Sequence, residues 1–205
     1  MILFLEKNRN TQKDYCLMNE KRMKKIMFSD AFCLTQAVLN GSKTMTRRVL
    51  RDNVPLGNWE ETAKHLPYKV GEVVAIAQSY HALNKSGYVS PKWCEHTCES
   101  SAGYKNKMFV RADLMPHHIK ITDVKVERLQ DISDDDIMRE GIRYYPSSDK
   151  RWSNDSGYGY HIPKNGLHLF DTPYKAFANL FERISGKGTW ESNPFVVAYS
   201  FELVD

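Results

Sequence analysis

Gly41-Ser42-Lys43-Thr44-Met45-Thr46-Arg47-Arg48 joins a stretch of helical periodicity to a stretch with the composition of a strand. On the helical side Ala31, Leu34, Ala37 and Val38 share one face, with Ser29 or Asp30 placed to cap the start. Gly41 falls where a helix commonly ends on a residue of positive φ. On the other side, residues 44–50 are rich in β-branched and long side chains and read as a strand. The junction concentrates an amine, three hydroxyls and two guanidinium groups. By residue type alone the preferred reading is a helix end followed by an exposed basic strand. A regular strand sends Thr44, Thr46 and Arg48 to one face and Lys43, Met45 and Arg47 to the other. Lys43 and Thr46 can therefore share a site only if the chain turns over residues 41–44 before the strand settles.

Upstream of this junction, residues 25–28 read as a short strand. Residues 1–22 read as a flexible basic leader, with Met23-Lys24-Lys25 resembling a translation start. The first 25 residues carry seven basic and three acidic side chains, which is the whole of the formal +4 charge. The remaining 180 residues hold 22 of each sign, so general basicity gives no case for nucleic-acid binding and any such site must be a local patch. A hydrophobic content of 41% fits a globular chain of 205 residues, and no apolar run reaches the length of a membrane span. A cytoplasmic protein without membrane contact is the expectation.

Downstream, residues 51–67 read as a loop with one helical turn near Glu60. A tight turn over 68–71 leads into a strand at 72–78. Residues 80–106 lack periodicity and read as an insertion loop; 108–111 read as a short strand. A longer strand over 118–129 has Ile119 and Ile121 on one face but Val124 and Val126 on the other, a phase change that predicts a β-bulge. His117 and His118, adjacent on this strand, are expected to divide between core and solvent. Ser133-Asp134-Asp135-Asp136 has the form of a helix-starting capping box, and Gly141 ends that helix. Glu140 then lies at its last turn, where an acid opposes the helix dipole and is either exposed or matched by a cation.

Residues 143–170 read as a second insertion, with Tyr144, Tyr145, Trp152, Tyr158, Tyr160 and His161 expected to pack it on the body rather than stack on bases. Thr172-Pro173 opens the clearest helix, 173–185, whose predicted buried stripe is Phe177, Leu180, Phe181 and Ile184. Residues 195–203 alternate as a closing strand. The four cysteines, Cys16, Cys33, Cys94 and Cys98, are expected as free thiols. Cys94, His96 and Cys98 suggest zinc, but no fourth ligand is evident and no metal or other cofactor is assigned. No repeat or linker divides residues 23–205, which are expected to form one domain.

Three segments together resemble the ASCH family: residues 39–48; residues 124–141, VKVERLQDISDDDIMREG; and residues 174–201, with Gly186-Lys187-Gly188-Thr189-Trp190 and Asn193-Pro194-Phe195. The last two are similar to the larger ASCH proteins of bacterial prophages. The resemblance implies an α+β fold of PUA-like type: a small β-barrel with flanking helices and, here, two long insertion loops. It also implies a cleft beside the signature that handles RNA, nucleotides or modified nucleosides. At the signature the chain is similar to the acetylcytidine amidohydrolases, whose Lys, Thr, Arg and Glu fall by motif on Lys43, Thr46, Arg48 and Glu140. Arg47, the insertions and the leader depart from that branch.

Two chemistries use this set. In amide hydrolysis Thr46 is the nucleophile, Lys43 is its base if held neutral, and Glu140 orients the lysine or relays a proton. A close Glu140 would raise the lysine pKa, whereas burial, Arg47 and Arg48 would lower it. In a binding cleft Lys43, Arg47 and Arg48 hold phosphates while Thr46 and Glu140 contact the base. A ribonuclease-like phosphodiesterase is a third alternative, without an evident general-base histidine.

Overall fold

The strand that organises the sheet is the last one. In the computed structural model, which describes residues 23–88, 99–147, 156–163 and 165–204, β8 (Phe195–Leu203) pairs antiparallel with β4 (His118–Arg128) on one side and β2 (Met45–Val49) on the other. Alternation in β8 predicts one wet face, yet residues 196–201 are all buried, because this inner strand is covered on both faces. The sheet continues from β4 to β3 (Val73–Ile76) and then to β1 (Lys25–Ile26), which alone runs parallel to its neighbour. The register of β4 against β8 shifts between Ile121 and Asp123, where the phase change places a bulge.

The order β1-β3-β4-β8-β2 leaves β1 and β2 as edges, so among the described residues backbone pairing does not close the sheet into the expected barrel. The edges are tied instead by a side chain, with Arg48 on β2 donating through Nη2 to the carbonyl of Met27 just after β1.

Helices form where capping and periodicity predict them, with differences that have local causes. The helix expected over residues 30–40 is split. A 3-10 turn at Asp30–Phe32 is followed by Cys33 in the left-handed region at φ 54°, and α1 proper is Leu34–Leu39. Gly41, at φ 74°, ends it as expected. The single turn near Glu60 is a full helix, α2 (Trp59–His65), because Asn58 caps it by accepting from the Glu60 amide. The stretch from residue 80 does not begin as a loop. Ser79 caps α3 (Tyr80–Lys85), whose Tyr80 and Leu83 form a small separate core with Ala75, Val110, Leu114 and Met115. The strand expected at 108–111 is replaced by a 3-10 turn at Lys107–Phe109, capped by Asn106. Cys94, His96 and Cys98 lie outside the described residues.

The second insertion is also more ordered than a loop. β5 (Arg143–Tyr145), β6 (Gly157–Ile162) and β7 (Gly166–Phe170) form an antiparallel sheet of their own, and Tyr160 and Ile162 enter the main core. Of its aromatic residues Tyr160 is buried as expected and Tyr145, Tyr158 and His161 are half-buried, but Tyr144 is 51% exposed, and Trp152 lies outside the described residues. Two helices complete the fold. α4 (Asp134–Arg139) starts at Ser133, whose hydroxyl accepts from the Asp136 amide at 3.2 Å. α5 (Pro173–Ser185) starts at Thr172 and is followed by the short α6 (Thr189–Ser192). On α5 Ala176, Phe177, Leu180 and Phe181 are buried, whereas Ile184 is 45% exposed: the helix has left the core by its last turn.

Candidate functional site

The gap between the two sheet edges is where the candidate site lies. Three backbone hydrogen bonds shape the approach to β2. The Lys43 amide donates to the Ala37 carbonyl, the Thr44 amide to Arg139, and the Phe201 amide to Thr44, each at 2.9 Å. They hold residues 41–44 in a turn between α1, α4 and β8, so the lysine departs from strand alternation. Lys43 and Thr46, on opposite faces of a regular strand, consequently line the same cleft of about 380 Å³. Arg48 and Glu140 line it too, which brings together all four residues carried by the resemblance. Arg47 contributes to the same floor. Leu34 and the α5 residues Phe177, Leu180 and Phe181 supply an apolar wall, and the exposed side chains of Met27, Val49 and Ile184 form the rim.

At the floor, two buried cations meet three carboxylates. Lys43 is 2% exposed; its Nζ donates to Glu140 Oε2 at 2.6 Å and to the Glu140 carbonyl at 2.7 Å. Glu140 is the C-cap of α4, so its carboxylate and a carbonyl at the negative helix end face the same ammonium. The acid that seemed misplaced on its helix is matched by a cation 97 residues earlier. Gly141 makes the turn that follows Glu140, and it is the backbone rather than the space that calls for glycine. Its φ of 102° disfavours any side chain, whereas a Cβ there would lie an ordinary 3.6 Å from Lys43 Cβ.

Arg47 is more fully engaged than its place in the sequence suggested. Nη1 donates to Glu140 Oε1 at 3.2 Å, Nη2 to Asp136 Oδ2 at 2.7 Å and to Glu127 Oε1 at 2.6 Å, and Nε to Glu127 Oε1 at 2.9 Å. Lys125 and Arg139 bind Asp136 from outside. Glu127 and Asp136 are therefore members of the cluster that the sequence reading passed over. Glu127 was visible only as a strand residue and Asp136 only as part of a capping box. By contrast, no hydrogen bond engages the Thr46 hydroxyl among the described residues, although Thr46 is buried.

The competing influences on Lys43 have a net direction. Burial is the largest and pushes its pKa down; Glu140 opposes this, and Arg48 and Arg47 add to the lowering. Burial alone would lower Arg47 as well, but Glu140, Asp136 and Glu127 more than offset it and hold the guanidinium above its ordinary value. For Asp136 burial would raise the pKa, yet the hydrogen bonds from Lys125 and Arg47 hold it below the ordinary carboxylate value.

The signs of these shifts predict pH dependence. A depressed Asp136 stabilises the fold above about pH 4, its unfolded value, and that contribution is lost as acid takes pH down through the folded value. A depressed Lys43 gives a slope of the same sign at the alkaline end: the buried ammonium costs stability below its folded pKa, and stability rises between that value and about 10.4. Urea midpoints measured across pH should therefore fall below about pH 4, and Asp136→Asn should flatten that acid limb. A limb unchanged by Asp136→Asn would remove Asp136 as its cause.

A second cleft of about 380 Å³ lies across Leu34, lined by Cys33, Arg143, Tyr145 and His161. Cys33 is a free thiol whose Sγ lies 3.6 Å from His161 Nδ1; burial, then Asp30, push its pKa up. His117 precedes β4 and His118 begins it. Both are half-buried, so they do not divide between core and solvent. Among the described residues no three His, Cys, Asp or Glu side chains are grouped to hold a metal, and no helix is long and apolar enough to cross a membrane.

These features define an α+β protein with an acid–base cluster at the floor of a cleft between sheet edges. Among solved structures, the chain is similar to the ASCH domain from Lactobacillus crispatus JV V101, at 14% sequence identity and a TM-score of 0.40, over 89% of this chain and 79% of that one. It is also similar to a protein from Enterococcus faecalis V583 described under the family name DUF984, at 15% identity and a TM-score of 0.41, over 100% and 90% of the two chains. No protein-family profile and no curated protein sequence matches the chain.

Proposed function

We propose that the cleft binds a ligand carrying a nucleobase, in the class of RNA, nucleotides and modified nucleosides, through Lys43, Thr46, Arg48 and Glu140. The observation that carries this reading is the convergence of these four residues, from β2, the turn before it and the end of α4, on one cleft. The apolar wall from Leu34, Phe177, Leu180 and Phe181 suits the faces of a base, and the Thr46 hydroxyl is available to its edge. Phosphate, where present, falls to Arg48 at the mouth, since Lys43 and Arg47 already face carboxylates. Arg48→Ala is expected to weaken binding of short single-stranded RNA and reduce its salt dependence by a slope of about 1. Unchanged affinity and slope would argue against phosphate contact.

Amide hydrolysis of an acylated nucleoside such as acetylcytidine is a second reading, supported by the burial that lowers the Lys43 pKa. Neutral Lys43 removes the Thr46 proton as the hydroxyl oxygen attacks the acyl carbon. The same proton passes to the departing amine as the amide C–N bond breaks. Water then attacks the acyl–threonine ester, giving the free acid and restoring the hydroxyl. Glu140 keeps the lysine in place. Purified protein incubated with acetylcytidine should release cytidine, measured by chromatography. Thr46→Val and Lys43→Met should each reduce the rate by about 10²-fold or more. Full activity in both folded variants would remove these residues from catalysis. An inactive wild type that still binds nucleosides leaves the binding reading standing.

A further inference from the structure

We propose that Arg47 is a positioning residue of this cleft: it holds one oxygen of the Glu140 carboxylate while Lys43 takes the other, leaving Lys43 freer to give up its proton than in an isolated lysine–glutamate pair. The proposal rests on the reading of Lys43 as the base of the cleft.

The geometry supports it in two ways. First, the guanidinium is immobilised. Its side chain is 0% exposed and is held by Glu127 and Asp136 as well as by Glu140. A planar fork fixed by two carboxylates presents Nη1 to Glu140 Oε1 in one orientation, which leaves Oε2 for Lys43. Second, the charge of Glu140 is shared. A carboxylate serving only Lys43 would stabilise the ammonium in full. Here the same charge also stabilises Arg47, a cation that cannot give up its proton, and Arg47 itself disfavours a second positive charge beside it. The other groups around Lys43 do not reverse this. Arg48, also on β2, acts in the same direction as Arg47. The residues of α1 and α5 that line the cleft, Leu34, Phe177, Leu180, Phe181, Ile184 and Ser185, carry no charge. Asp136, Glu127, Lys125 and Arg139 act from behind Arg47.

The test uses the full chain with isotopically labelled lysine. The Lys43 side-chain signal, assigned by its loss in Lys43→Met, is followed by NMR against pH in wild type, Arg47→Gln and Arg47→Lys. Arg47→Gln removes both charge and clamp. It should raise the Lys43 midpoint by about one pH unit or more. Arg47→Lys keeps a charge but cannot bridge three carboxylates, so it should raise the midpoint by a smaller amount; it also serves if the glutamine variant does not fold. The acid limb of acetylcytidine hydrolysis should move upward by the same interval as the midpoint. An unchanged Lys43 midpoint in whichever variant keeps the wild-type fold overturns the proposal. If wild type hydrolyses nothing, the base reading fails separately, and the NMR titration still decides whether Arg47 governs Lys43.

Discussion

Arg47→Met is expected to cost about 3–5 kcal/mol of stability, a drop in Tm of roughly 6–20 °C for a chain of this size. Methionine fills much of the space but provides no positive charge. Glu127, Asp136 and Glu140 would then lose the one buried cation common to all three, leaving the part-exposed Lys125 to Glu127 and Asp136 and only Lys43 to Glu140. The cost comes from stranding these acids rather than from losing a favourable pair, since desolvation already offsets much of the attraction in a buried ion pair. Two controls separate this cause from a general effect of losing charge. Lys64→Met removes an exposed partner of Glu61 on α2 and should change stability by no more than about 1 kcal/mol. Lowering the pH should narrow the difference between wild type and Arg47→Met, because protonation relieves the stranded carboxylates. Thermal or urea unfolding checks both. A loss below about 1 kcal/mol in Arg47→Met would place the three carboxylates in effective contact with water.

Phe177→Ala should be as damaging for a different reason. Phe177 is 2% exposed and packs against Phe181 at 5.6 Å and Trp190 at 6.0 Å between ring centroids. Truncating a buried aromatic ring typically costs about 3–5 kcal/mol, through lost transfer energy and the cavity left behind. Here the ring also belongs to the wall of the cleft, so the cavity would open into the candidate site. Ile184→Ala, about two turns further along the same face of α5, should change stability by about 0.5 kcal/mol or less, because that side chain stands at the exposed rim. A base-bearing ligand should lose affinity to Phe177→Ala, provided the variant is measured below its melting temperature. Equal stability losses at positions 177 and 184 would show that α5 does not leave the core where the structure places its last turn.

Local chemistry was sufficient for several features. Gly41 and Gly141 end helices because each adopts a positive φ that suits glycine. Ser133 and Thr172 begin helices by accepting from amides three residues on. The bulge in β4 was visible because a one-residue slip exchanges the faces of a strand, and Ile119, Ile121, Val124 and Val126 recorded that slip. The convergence of Lys43, Thr46, Arg48 and Glu140 on one cleft was expected only from their resemblance to a known motif.

Tertiary structure decided what depends on neighbours distant in sequence. The helix predicted over 30–40 breaks at Cys33, and the insertion at 143–170 forms a sheet, outcomes that local periodicity did not indicate. Ile184 has the spacing of a core residue, but whether its face is covered depends on where α5 runs out of neighbours. The role of Arg47 is the clearest case. By alternation it belonged on the face opposite Thr46, ready for phosphate; in the structure it meets Glu127, Asp136 and Glu140, lying 80, 89 and 93 residues further along the chain. Residue type states that a guanidinium seeks anions, but only the fold determines which anions are within reach. The direction of the Lys43 shift is decided in the same way, because burial and charge proximity are properties of packing that one strand and one turn do not contain.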